Sequence, residues 1–149
     1  MKIIEKDPHS QDAFEMMEEL SQTLKKITGD SGKSSFNVQD IADARAVFVV
    51  AYSDQGEPIG CGAIRPINEN TAEVKRMYAK SKAKGIGTAI LSYLEGQAKK
   101  LGYSKFWLET RLINKRAVNF YERRGYHRIA NYGKYAGRAE SVCFEKAMI

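Results

Sequence analysis

At 149 residues, 43% hydrophobic and 28% charged, the chain has the size and balance of one globular domain, which argues against a disordered or low-complexity protein. Its longest apolar run, residues 46–52, is too short to cross a bilayer and no secretory leader pattern opens it, so a cytoplasmic protein with no membrane partner is expected. The net charge of +6 is unevenly spread: residues 1–73 hold 7 Lys/Arg and 13 Asp/Glu, residues 74–149 hold 17 and 5, which suggests one anionic and one cationic partner and no nucleic acid.

Residues 2–7 are β-compatible and end at Asp7-Pro8. Ser10 then caps a helix whose Phe14, Met17, Leu20, Leu24 and Ile27 form one stripe, with Asp12 and Glu15 in the first turn, where the dipole favours acids. Gly29-Asp-Ser-Gly-Lys-Ser34 ends like a nucleotide-binding P-loop. That motif needs glycine five places before Gly32, where Ile27 stands, and it follows a strand; this segment follows a helix and reads as a surface loop or the rim of a substrate pocket.

Residues 35–44 are a second, short helix candidate. Residues 47–52 form a buried strand, Asp54-Gln-Gly56 a hairpin turn, and residues 58–65 the return strand. Gly60 and Gly62 thin that strand, as happens where a ligand or another backbone comes close. Residues 71–79 complete a four-stranded antiparallel meander. A long helix follows, with Ile86, Ile90, Leu94, Ala98 and Leu101 at spacings of four and three, stopped by Gly102. Then come a strand over 105–110, a helix over 117–124, a strand over 126–130, a polar loop over 131–140 and a last strand over 141–147. Cys61 and Cys143 sit alone in apolar runs, with no ligand partner at metal spacing, and read as buried thiols; no metal is expected.

Two stretches carry chemistry. Lys82-Ala-Lys-Gly-Ile-Gly-Thr88 turns a strand through glycines into the long helix, which gathers backbone N–H groups at the positive end of the helix dipole. That geometry suits a phosphate. A Rossmann dinucleotide motif does not fit, because the third glycine position is not glycine. In Asn114-Lys-Arg-Ala-Val-Asn-Phe-Tyr121, Asn114 is a candidate N-cap, yet Lys115 and Arg116 put two cations at the wrong end of the dipole. A bound anion would offset that cost, and Arg116 is a candidate contact to it. Tyr121 falls four residues after Ala117 on the apolar face, so its ring should be buried and its hydroxyl should need a partner.

Taken together, Lys82 to Gly87, Leu108-Glu-Thr110, Asn114…Ala117…Phe120-Tyr121…Gly125-Tyr126 and the preceding Ala72-Glu-Val-Lys-Arg-Met-Tyr-Ala79 resemble the GCN5-related N-acetyltransferases (GNAT), over roughly residues 71–126. Lys82 stands where that family usually has Gln or Arg, and the 79–85 turn looks about two residues shorter than its common form, without the usual proline. The resemblance implies an α/β fold of the α+β type: one domain over residues 1–149, with a mixed, mostly antiparallel sheet of about six to seven strands and helices on both faces. It implies acetyl-coenzyme A as co-substrate, its pyrophosphate on the backbone of Lys82, Ala83, Lys84, Gly85, Ile86, Gly87 and Thr88. The pantetheine arm would follow Met77, Tyr78 and Ala79, with Asn114 touching it and Tyr121 facing the thiol.

Acyl transfer to an amine needs a neutral nucleophile, a donor for the oxyanion and a proton for the departing thiolate. Tyr121 is the candidate acid and a backbone N–H near Met77 the candidate oxyanion donor. Glu73 is the candidate base, directly or through water, since in a regular strand it shares a face with Lys75 and Met77; it equally reads as a carboxylate paired with Lys75 or Arg76. Glu109 is the rival base. No residue pattern requires a covalent enzyme intermediate, so direct transfer in a ternary complex is expected.

The acceptor is expected to be the primary amine of a small molecule. Carboxylates around it would favour a polyamine; Ser34, Lys134 and Arg138 would favour an amine that also carries a carboxylate, such as an amino acid. Three alternatives stay open at this stage: a non-catalytic coenzyme A-binding regulator, an acetyltransferase acting on a protein amine, and a basic nucleic-acid module, which lacks a stacking motif. Oligomeric state is open, with a homodimer the common option for a small enzyme.

Overall fold

All six residues of the strand Val47–Tyr52 are buried, because helices cover both faces of the sheet it belongs to. The computed structural model describes residues 1–80 and 85–148. The strands are β1 (Lys2–Glu5), β2 (Val47–Tyr52), β3 (Pro58–Pro66), β4 (Thr71–Ala79), β5 (Lys105–Arg111), β6 (His127–Ile129) and β7 (Ser141–Ala147). They form one seven-stranded sheet in the order β1-β2-β3-β4-β5-β7-β6. The expected meander β1 to β4 is present, and among the described residues the single parallel pair is β4 with β5. On one face lies α1 (Gln11–Thr28), packed on Phe48, Val50, Cys61 and Ala63. On the other lie α2 (Ile86–Lys100) and α3 (Lys115–Arg123), packed on Val49, Ile64, Val74, Phe106 and Phe144. The expected α/β class and its helices on both faces are therefore what the chain adopts.

Two expected elements differ. The buried stripe of α1 is rotated: Ala13, Met16, Leu20 and Ser21 face the sheet, while Phe14 is 57% exposed and Ile27 39% exposed. Arg76 fixes that rotation by donating from Nη2 to the Met17 carbonyl at 2.9 Å and to the Ser21 hydroxyl. A small polar residue at that point of the interface suits the guanidinium better than an apolar one. Residues 35–44 do not form an α-helix; two short 3₁₀ turns stand there, Lys33–Ser35 and Val38–Ala42. Asn37 and Asp40 close a reciprocal capping box around the second turn, and Phe36 between the turns is extended at φ −145°.

The feature that positions everything else is a bulge in β4. Arg76 sits at φ +54°, and the β3–β4 register slips between Cys61 and Ala63. The bulge shifts the alternation, so Lys75 and Arg76 both reach toward the α1 side while Met77 is turned to the α2 side. Glu73 and Lys75 share a face, but Met77 does not join them, contrary to the regular-strand expectation. Gly60 and Gly62 serve this packing: a Cβ at Gly60 would lie 2.6 Å from the Tyr78 carbonyl oxygen, and one at Gly62 would lie 2.7 Å from the Met77 sulfur. The close neighbours that these glycines admit are β4 and α2.

Past the bulge the sheet opens. β4 pairs with β5 only over Thr71–Glu73 against Lys105–Trp107, whereas β5 stays paired to β7 as far as Arg111 and Ser141. The outer halves of β4 and β5 diverge and leave a slot through the sheet.

Candidate active site

A cavity of about 160 Å³ occupies the slot, and its walls come from both faces of the sheet. On the α2–α3 side stand Met77, Leu108, Asn114, Ala117 and Tyr121. On the α1 side stand Leu20, Leu24 and the segment after α1, with Asp30, Ser34 and Ser35. The glycine-rich stretch that mimics a P-loop is thus a rim of this cavity, its Gly29 serving as the left-handed C-cap of α1 at φ +82°.

Tyr121 is placed by α3. The Asn114 side chain accepts from the Ala117 amide at 3.3 Å and starts the helix, which brings Val118 and Tyr121 onto the buried face. The Tyr121 ring packs edge-on to Phe120 and Tyr126, with centroids 5.1 and 5.6 Å away. Tyr126 donates its hydroxyl to Glu95 at 2.9 Å. The Tyr121 hydroxyl has no such partner among the described residues, and burial alone pushes its pKa well above the usual phenol range. It stays protonated at any physiological pH.

The α1 side of the slot holds an ionic network. Glu73 is 5% exposed and accepts from Arg65 Nε at 2.9 Å and from the Tyr132 hydroxyl at 2.6 Å. Arg65 also pairs with Asp40 and donates to the Ser35 carbonyl at 3.1 Å. Glu109 lines the cavity and accepts from the Ser141 hydroxyl at 2.6 Å; burial raises its pKa, against the opposing effects of Ser141, Lys75 and Arg111. Lys75 Nζ donates to the Tyr135 hydroxyl at 3.0 Å. Arg111 Nη1 lies 3.6 Å from Asp30, and Lys134 donates to the Ser34 carbonyl at 3.2 Å, tying the loop after β6 to the loop after α1.

Lys75 yields a prediction. Burial pulls its ammonium from 10.5 down to about 8, only partly opposed by Glu73 and Glu109. The unfolded chain therefore holds that proton more tightly, so the folded state is penalised below pH 8 and regains stability as pH rises toward 10.5. Lys75→Met is expected to stabilise the protein at pH 7 by about 1–2 kcal/mol, a figure discounted for the partial exposure of the side chain. The advantage over wild type should shrink between pH 8 and 10. Urea denaturation of both proteins at a series of pH values checks it, and an advantage constant with pH would contradict it.

At the mouth of α2, Gly85 takes φ +96° with no side-chain cap, and the first turn carries no acid. The amides of Ile86, Gly87 and Thr88 precede the first intrahelical bond, from Ala89 to the Gly85 carbonyl at 2.9 Å. A Cβ at Gly85 would meet none of the described residues within 4 Å. Arg124 stands beside this helix end, donating from Nε and Nη2 to the Thr88 hydroxyl at 3.1 and 2.6 Å. Amides without an acceptor among the described residues, a helix end with no side-chain cap and an adjacent guanidinium fit the diphosphate of coenzyme A.

The structure brings Tyr121, Met77, Asn114, Glu109, Ser34 and Arg138 to one cavity. Gly85, Ile86, Gly87 and Thr88 lie at the mouth of α2. Glu73, Tyr78, Ala79, Arg116 and Lys134 do not line that cavity: Tyr78 turns to α1 and bonds Glu19 at 3.0 Å, Ala79 packs in the α2-side core, and Arg116 is exposed on α3. Lys134 lines an adjoining surface groove together with Ser34 and Arg65. Lys82, Ala83 and Lys84 lie outside the described residues. Sequence reasoning missed Lys75, Arg111 and Arg124. Carrying period-two alternation one residue past the expected strand end at Thr110 would have put Arg111 on the face of Glu109, whereas the meeting of Arg124 with Thr88 has no signature in spacing.

No described helix is long and apolar enough to cross a membrane. The profile of the Acetyltransferase (GNAT) family matches residues 13–126. The chain is 28% identical to an IAA acetyltransferase of Azospirillum brasilense, over 98% of this chain and 97% of the relative. Among solved structures it superposes on an acetyltransferase from Streptococcus agalactiae with a TM-score of 0.80 at 17% identity, covering 99% of this chain and 98% of that one. It also superposes on the PaiA N-acetyltransferase of Thermoplasma acidophilum in complex with coenzyme A, with a TM-score of 0.73 at 19% identity, covering 99% and 100%. With the slot, the uncapped helix and the family profile in agreement, the chain belongs to the GNAT family of N-acetyltransferases.

Proposed function

We propose that the protein transfers an acetyl group from acetyl-coenzyme A to the primary amine of a small molecule, directly and within a ternary complex. The observation that supports this most is the slot between β4 and β5, with a phenol that has no hydrogen-bond partner among the described residues on one wall and a carboxylate on the other. Acetyl-coenzyme A supplies the acetyl group as an activated thioester. The amides of Gly85, Ile86, Gly87 and Thr88, with Arg124 beside them, hold its diphosphate. Met77 and Asn114 flank the arm on the α2–α3 side of the slot.

Of the two carboxylates, Glu109 takes the proton from the incoming amine, directly or through water. It lines the cavity and a single hydroxyl engages it, whereas both oxygens of Glu73 are committed to Arg65 and Tyr132. Glu73 acts instead as the anchor of that wall. A backbone N–H at Met77 donates to the oxyanion, at no cost in reorganisation. As the carbon–nitrogen bond forms and the carbon–sulfur bond breaks, Tyr121 gives its proton to the departing sulfur and the amine proton ends on Glu109. Neither cysteine lines the cavity, and Cys61 is fully buried with its thiol donated to the Arg76 carbonyl at 3.2 Å.

Titration calorimetry with acetyl-coenzyme A, followed by thiol release against a panel of primary amines, tests the proposal. Saturable binding and amine-dependent thiol release are expected. Absence of binding would overturn it, and binding without release for any amine would favour a regulator.

A further inference from the structure

The charge on the acceptor side of the slot is informative about what enters it. Lys75, Arg76, Arg111 and Arg138 line the cavity against two carboxylates, Asp30 and Glu109. The donor does not call for that surplus: its diphosphate has a seat at the mouth of α2, and its thioester end carries no charge. Arg76 is turned to α1, where its Nη2 is bonded, although its Nε too is buried without an acceptor among the described residues. Arg111 donates no side-chain hydrogen bond to any of the described residues. Its Nη1 turns to Asp30 at the long distance of 3.6 Å, and its Nε is buried with no acceptor among the described residues. A buried donor left without an acceptor is rare and calls for one from a ligand. With Nη1 directed at Asp30, the edge formed by Nε and Nη2 remains, and two parallel N–H groups on one edge match the two oxygens of a carboxylate.

We propose that the acceptor carries a carboxylate beside its amine, seated on the Nε–Nη2 edge of Arg111 with Arg138 as a second cation, and with the amine directed to Glu109. Glu109 and Arg111 lie two residues apart on one face of β5, so their Cα atoms are about 6–7 Å apart. That separation suits an amine and a carboxylate joined by a short carbon chain. A polyamine or an aminoglycoside would bring several cations into a cavity that already has a positive surplus. The inference rests on the acetyl-transfer reading and narrows it to one acceptor class.

The test compares free amino acids and ω-amino carboxylates with their own carboxamides, with spermidine and with an aminoglycoside, using thiol release from acetyl-coenzyme A by the full chain. The kcat/KM for a carboxylate acceptor is expected to exceed that of its carboxamide at least tenfold. In Arg111→Gln the preference should disappear, mainly through KM, and Arg138→Gln should lose a smaller part. If Arg111→Gln does not fold, the acid-to-amide ratio of the wild-type protein decides alone. Equal or faster transfer to carboxamides or polyamines would overturn this inference and leave acetyl transfer standing. So would coenzyme binding with no carboxylate acceptor turned over. Absence of coenzyme binding would overturn both.

Discussion

Replacing Tyr121 with phenylalanine should lower kcat about 10²–10⁴-fold, the range for loss of a positioned general acid, with little change in the affinity for acetyl-coenzyme A. The ring keeps its edge-on contacts with Phe120 and Tyr126 in the variant. The deleted hydroxyl has no partner among the described residues, so its removal strands no other group. The melting temperature should therefore change little, because Tyr121 lines the cavity and no hydrogen bond among the described residues is lost with its hydroxyl. That combination separates chemistry from folding. Single-turnover thiol release, calorimetric affinity for the coenzyme and a melting curve on the same preparation measure all three. A loss under threefold would remove Tyr121 from the reaction, and a collapse in melting temperature would show that its role is packing.

Arg65→Ala should have the largest effect on stability, about 3–5 kcal/mol, the usual consequence of removing one partner from a buried ion pair. Arg65 ties three segments together: Glu73 on β4, Asp40 in the second 3₁₀ turn and the Ser35 carbonyl in the first. Without it, Glu73, which is 5% exposed in the wild-type protein, keeps only the Tyr132 hydroxyl. Arg65→Lys should recover part of the loss, since one ammonium cannot reproduce the two-edged grip of a guanidinium. Urea denaturation measures both. A cost below 1 kcal/mol would mean that the network adds nothing to stability. The alanine variant should also lose acceptor affinity before coenzyme affinity, because Ser34 and Ser35 line the acceptor side alone.

Much of this was legible in the residues. The meander, the long helix and the glycines at its mouth follow from alternation, four-and-three spacing and placement, and the structure has them in β1–β4 and in α2 from Ile86. The burial of Tyr121 followed from its position four residues after Ala117. Its lack of a hydrogen-bond partner among the described residues did not, because that depends on what the surrounding walls offer. The rotation of α1 was hidden by a strong local pattern: Phe14 and Ile27 complete an apolar stripe, yet the sheet selects Ala13, Met16 and Ser21. Arg76, 59 positions away from Met17 in sequence, decides that selection. The bulge at the same residue defeated the alternation argument for Glu73 and Met77. A single residue in the left-handed region reverses every assignment after it, and nothing in Val-Lys-Arg-Met announces it.

The parting of β4 from β5 makes the sheet a partition with a window in it. On the proposed reading, donor and acceptor would look through that window from opposite rooms, one furnished by α2 and α3, the other by α1 and the loops after α1 and β6. Mutations that redecorate the second room leave the first intact, so new acceptors can be explored over evolutionary time while the thioester keeps its berth.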